Sequence, residues 1–113
     1  MSTIDSSTFR ELQAAAGAEF VTDLVDTFVD EAPPMLAALR KARTEGDADA
    51  YRRAAHSLKS NGLTFGAMAL AAQARAIELG GLNADAARDQ VAIDELAVSL
   101  DSAMAALKAL CHA

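Results

Sequence analysis

The chain has 113 residues, 52% of them hydrophobic and 4% aromatic, which is enough apolar material for one buried core and too little length for two domains. Its formal charge of −6 argues against a nucleic-acid-backbone binder, because that affinity rests on clustered Lys and Arg. Cys111 is the single cysteine, so no internal disulfide forms and a reducing compartment is expected.

Met1 to Asp5 contain no basic stretch followed by an apolar run, so no signal peptide is expected. No apolar segment approaches the ~20 residues that span a bilayer, and a cytoplasmic protein is expected. Ser6 or Ser7 can cap a first short helix reaching about Ala16, with Phe9 and Leu12 on one face, and Gly17 ends it. A second pattern starts near Ala18. Its apolar positions, among them Val21, Val25, Phe28, Ala32, Met35 and Leu39, step by three and four as a helix requires. Pro33 and Pro34 interrupt it, and an interior proline costs roughly 3 kcal/mol in a helix. The apolar phase nevertheless carries through, which predicts one kinked helix or two nearly collinear ones.

Glu45-Gly46 ends that segment and Asp47 can cap the next. The third helix carries Tyr51, Ala54, Ala55, Leu58, Gly62 and Phe65 on its inner face, and Gly66 marks its end. A fourth helix follows, with Ala67, Leu70, Ala74 and Ile77 inward, and stops at Gly80-Gly81. Asn83 can cap a long fifth helix with the stripe Ile93, Leu96, Leu100, Met104, Leu107 and Cys111. Nothing reads as a strand. The expected fold is all-α: an antiparallel up-down four-helix bundle with a short additional N-terminal helix, forming a single domain over 1–113. No second large apolar stripe remains, so a monomer is expected.

On the third helix, at about 100° per residue, His56 lies roughly 160° from the inward Leu58. Arg52, Arg53, Ser60 and Leu63 share its outward side, and Lys59 lies near the edge. An exposed neutral imidazole is a nucleophile at physiological pH, one ring nitrogen attacking while the other is held. A phosphorylated ring would carry about two negative charges, and Lys59 stands one turn along to screen them and hydrogen-bond the oxygens. Each feature also has a bland reading: a solvated surface His, a solvated Arg pair, an ordinary exposed Leu.

The segment from Ala54 to Ala67, AAHSLKSNGLTFGA, resembles the signature of histidine-containing phosphotransfer (HPt) domains. That signature is His, any residue, an aliphatic, Lys, a small residue that is usually Gly, then a Gly six positions later. His56, Leu58, Lys59, Ser60 and Gly66 stand in those slots, with Ser60 the departure; being small, it should still let a partner approach. Gly17 to Phe20, the Phe28 segment leading to Pro33, and Gly46-Asp47 look like the family's second helix and following turn. Leu70 and Ile77-Glu78 look like its fourth helix.

The resemblance implies that His56 accepts a phosphoryl group from the aspartyl phosphate of a response-regulator receiver domain and passes it to another receiver. It implies Lys59 as phosphate support and Glu78 as the residue that hydrogen-bonds the imidazole. In a hairpin turning at Gly66, His56 and Glu78 sit at similar height, although the wheel points His56 well away from the core. The implied partners are receiver domains and a hybrid histidine kinase, meeting a face built from Arg52, Arg53, Ser60 and Leu63 around His56. The chain would be a carrier and not an enzyme, with no cofactor of its own; Mg²⁺ would belong to the partner receiver. No metal-ligand spacing is present, since His112 beside Cys111 lacks further ligands; His112 reads as a solvated or dipole-complementing tail residue. The chain looks self-contained, and a free-standing module is expected.

Three alternatives differ in residues. A sensor-kinase phosphoacceptor domain has an acidic residue after its His and a Pro soon after, but Ser57 follows His56 and the third helix has no Pro. A non-phosphorylatable adaptor using the same face has no need to keep both His56 and Lys59. A hydrolytic or redox enzyme lacks a supporting Ser-His-Asp or Cys-His constellation.

Overall fold

The computed structural model describes residues 3–112, which form five helices and no strand. Met1, Ser2 and Ala113, the outermost residues of the expected domain, lie outside the described residues. The helices are α1 (Ser6–Ala16), α2 (Ala18–Glu45), α3 (Ala48–Phe65), α4 (Met68–Gly80) and α5 (Ala86–Cys111). α2 packs against α3 and α5, α4 packs against the same two, and α1 lies against α2 and α3. At about 1.5 Å per residue, the 28 residues of α2 are ~42 Å long, and they account for the 43 Å longest dimension.

α2 is continuous through Pro33 and Pro34. The two missing N–H groups cost ladder bonds to the preceding turn. Both prolines are exposed, and the apolar stripe on the opposite side (Phe28, Ala32, Leu39) is fully buried, so packing holds the helix where propensity would break it. Two caps differ from expectation. Asp5, not Ser6 or Ser7, caps α1: its Oδ2 accepts from the Thr8 backbone N–H at 3.1 Å and from the Thr8 hydroxyl at 2.5 Å. Asp85, not Asn83, caps α5 by accepting from Ala87 N at 3.0 Å. Asn83 instead shapes the turn before it, its Oδ1 accepting from Asp85 N at 2.9 Å. Asp47 caps α3 as the sequence indicates.

The core follows the predicted stripes, with small shifts. Leu39, Tyr51, Leu58, Leu70, Ile93, Leu96, Leu100 and Leu107 are all fully buried, and Phe28 meets Phe65 with ring centroids 5.3 Å apart. Ala54, Met104 and Cys111 are only partly buried, while Ala103 is fully so. Gly66 takes a left-handed conformation (φ 82°) at the α3–α4 turn, where a Cβ would lie 3.0 Å from the Asp5 carbonyl oxygen. The Gly66 carbonyl in turn accepts from Asp5 N at 2.8 Å, tying the start of α1 to that turn.

Candidate functional site

The site rests on how closely α3 and α4 approach. Gly62 on α3 faces α4, and a Cβ there would lie 3.1 Å from Ala71 N and 3.2 Å from Ala71 Cα. With no side chain to separate them, the two helices bring residues on their flanks within reach of each other. Ile77 is buried, and Glu78, one step round α4, lies on the flank that meets α3.

His56 projects from α3 with its side chain 58% exposed, and Leu58 is fully buried, which is the phase expected from the wheel. Its Nδ1 lies 2.5 Å from Glu78 Oε2. The other Glu78 oxygen, Oε1, accepts from Lys59 Nζ at 2.6 Å. Glu78 and Lys59 are mostly covered, with 13% and 21% of their side chains exposed. The Lys59 hydrogen bond, helped by the one to His56, holds the Glu78 carboxyl below its ordinary range against the opposing effect of burial.

This geometry fixes a tautomer. A carboxylate can only accept hydrogen bonds, so the short contact makes Nδ1 the protonated nitrogen. In the neutral ring Nε2 then carries the lone pair. No side chain among the described residues hydrogen-bonds Nε2, and the ring's exposure leaves it open to a partner. The expected contact between Glu78 and the ring is present, and the outward azimuth of His56 does not prevent it, because the long Glu78 side chain spans the gap. Lys59 lies near the edge of the outward side, as the wheel has it, and its Nζ is tied to Glu78, a pairing the sequence reading did not include.

The family model of the Hpt domain matches residues 23–113. The chain belongs to the Hpt domain family. No curated protein matches the chain, and no solved structure matches it either. Hpt domains act in phosphotransfer within phosphorelays and interact with receiver domains. The match runs from α2 through α5 and contains His56, Lys59 and Glu78.

The surface around His56 in this Hpt domain is cationic and partly apolar. Arg52 and Arg53 are exposed, and both pair with Asp49, at 2.6 Å and 3.0 Å. Asp49 was not among the expected residues, although its spacing of three and four from the arginines is a sequence signal for such pairs. Ser60 is exposed, and Leu63 is 51% exposed.

Two further groups lie away from this face. His112 is not free: its Nε2 lies 2.9 Å from Asp26 Oδ1 on α2. Asp89 is a buried carboxylate that accepts from Asn83 N at 2.8 Å and pairs with Arg43 at 3.4 Å. Its position in the first turn of α5 reads in sequence as a surface acid, so its burial was missed. Among the described residues no three His, Cys, Asp or Glu side chains group as a metal site, and no helix is long and apolar enough to cross a membrane.

Proposed function

We propose that this Hpt domain carries a phosphoryl group on Nε2 of His56, between receiver domains of a multistep phosphorelay. The observation that carries the reading is the Nδ1 contact to Glu78, which leaves Nε2 with its lone pair facing solvent. Nε2 attacks the phosphorus of a receiver's aspartyl phosphate. The N–P bond forms as the P–O bond to the aspartate breaks, and the aspartate leaves as a carboxylate on the partner. Nδ1 keeps its proton throughout, and Glu78 stabilises the positive charge that the ring gains. Reversal onto a second receiver regenerates the neutral ring.

Lys59 supports the phosphoryl oxygens from one turn away, moving between Glu78 and the phosphate. Arg52, Arg53, Ser60 and Leu63 form the docking face, with Leu63 as the apolar contact and the arginines as the rim that steers an acidic receiver. In this reading the chain is a carrier without autonomous kinase activity and has no cofactor of its own. Mg²⁺ belongs to the receiver, and a hybrid histidine kinase stands upstream. The domain is a cytoplasmic monomer over 1–113, with α2 to α5 running up and down antiparallel and α1 covering one end. The pairings of α2 with α3 through Phe28–Phe65 and Asn61–Met35, and of α3 with α4 through His56–Glu78, support that order.

The test is phosphoryl uptake. The protein is mixed with a phosphorylated receiver and examined for acid-labile, base-stable label. The parent takes up label and His56→Gln takes up none. Equal labelling of the two moves the acceptor elsewhere; no labelling of either leaves the adaptor reading, in which the same face only binds receivers.

A further inference from the structure

The contact between Glu78 and Nδ1 of His56 also sets which way the other nitrogen looks. The two nitrogens sit on different edges of the ring, so holding Nδ1 toward α4 turns Nε2 away from α4. Helix angles say what stands on that side. At about 100° per residue from His56, Lys59 and Gly62 fall roughly 60° and 120° one way, and Ser60 and Arg53 fall roughly 40° and 60° the other way. Gly62 meets Ala71 and Lys59 bonds Glu78, so α4 lies on the first side and Ser60 and Arg53 stand on the side to which Nε2 turns.

Most hydrogen-bond donors around the ring are already engaged. Lys59 Nζ is held by Glu78 at 2.6 Å. Arg52 and Arg53 are both drawn back along α3 to Asp49, at 2.6 Å and 3.0 Å. The Asn61 amide donates to the Ser57 carbonyl and the Thr64 hydroxyl to the Ser60 carbonyl, each at 2.9 Å. Ser60 differs: it is exposed, and its hydroxyl makes no hydrogen bond among the described residues. Thr22, Thr44 and Thr64 spend their hydroxyls on the carbonyl four residues back, which Ser60 does not. Side chains four apart on a helix have Cβ atoms about 5–6 Å from each other. Cα–Cβ bonds tilt toward the helix N-terminus, so Ser60 leans back over the turn that carries His56.

Resting on the carrier reading above, we propose that Ser60 is a phosphoryl-binding residue: its hydroxyl donates to an oxygen of the phosphoryl group on Nε2 of His56 in the same chain. The N–P and P–O bonds carry those oxygens beyond the ring, on the side away from Glu78, and close the remaining gap to the hydroxyl. The oxygens are ionised, and a donor to an ionised oxygen makes a stronger bond than one to a neutral group. Ser60 breaks no bond to do this, whereas Lys59 must first leave Glu78. The ring is thus held from one flank by Glu78 and its cargo from the other by Ser60.

The experiment measures the equilibrium constant for phosphoryl exchange between one receiver domain and the full chain, as parent, Ser60→Ala, Ser60→Gly and Ser60→Thr. Ala and Gly lack the hydroxyl and should each shift the phosphoryl group toward the receiver about fivefold, the scale of one solvent-exposed hydrogen bond, while Thr keeps it and should stay within about twofold of the parent. Calorimetry of the unphosphorylated domain with the unphosphorylated receiver should give the same affinity for parent and Ser60→Ala. An unchanged constant in Ser60→Ala overturns the inference, as does a Thr variant that falls with Ala. A shift matched by an equal loss of receiver affinity also overturns it and puts Ser60 on the docking face alone. With uptake on His56 intact in the parent, each of these results leaves the carrier reading standing; absence of uptake by the parent overturns both.

Discussion

Replacing Leu58 by alanine separates the core from the reactive face at two neighbouring positions of one helix. Leu58 has no exposed surface, whereas His56, two residues earlier, is more than half exposed. Truncating a buried leucine costs ~2–5 kcal/mol, more when the surroundings collapse poorly. α3 is held on one side by α2 and on the other by α4, so collapse is limited and about 3–4 kcal/mol is expected. At ~4 °C per kcal/mol for a domain of this size, the melting temperature should fall by roughly 12–16 °C. Far-UV circular dichroism measures that fall. The rate of phosphoryl uptake, measured at 10 °C where the variant is still folded, should stay within about twofold of the parent, because Leu58 touches neither ring nitrogen. A drop smaller than about 4 °C would show that Leu58 is not in a packed core, and the outward placement of His56 would fall with it.

Gly66→Ala should lower the melting temperature, since it places a side chain at φ 82° and a Cβ 3.0 Å from the Asp5 carbonyl; about 1–3 kcal/mol is expected by thermal or urea unfolding. Arg52→Ala and Arg53→Ala should change stability by less than ~0.5 kcal/mol, being exposed pairs. Both should slow association with an acidic receiver and flatten its dependence on salt in stopped-flow measurements. Glu78→Gln probes pH. The folded carboxyl lies below its ordinary 4.5, so as pH falls the unfolded chain takes up this proton first. The contribution of Glu78 to stability is therefore present above about pH 4.5 and is lost as pH falls through the lower folded value. The parent's melting advantage over Glu78→Gln should shrink between pH 7 and pH 3, and an advantage that grows on acidification would contradict the Lys59–Glu78 pairing.

The order of the helices and the phase of α3 were legible because both depend on periodicity, which is local. Leu58 inward and His56 outward follow from angle alone. What escaped depends on distance. Asn83 is a good cap residue, but Asp85 stands one residue before the helix begins and takes that role, while Asn83 bonds back into the turn. Asp89 looks like a solvated acid on α5 until Arg43, forty-six positions earlier in the chain, covers it. Lys59 was placed at the edge of the reactive face, and the wheel has no term for a carboxylate arriving from another helix. The Glu78 contact came from family resemblance; helix angles alone made it look unfavourable.

The reach of Glu78 depends on Gly62, a position that sequence reading assigned only to the inner face. Gly62→Ala gains about 1 kcal/mol of helix propensity and loses ~1–3 kcal/mol to overpacking, because the new Cβ meets backbone atoms of α4. The net change is about 0–2 kcal/mol, or at most ~8 °C in melting temperature. The geometric effect is larger in consequence. Contacts of 3.1–3.2 Å to Ala67 and Ala71 must open by a few tenths of an ångström, and the bonds from His56 and Lys59 to Glu78, at 2.5 Å and 2.6 Å, cross the same gap. A carboxylate drawn back from the ring no longer selects Nδ1–H, so the fraction of rings with a free Nε2 lone pair falls. The ¹⁵N shifts of the His56 ring at neutral pH report that fraction directly. In Gly62→Ala they should move toward the values of a free histidine while the fold persists. Ring shifts identical to the parent's would mean that the α3–α4 approach does not govern the tautomer, and that Glu78 follows His56 by side-chain rotation alone.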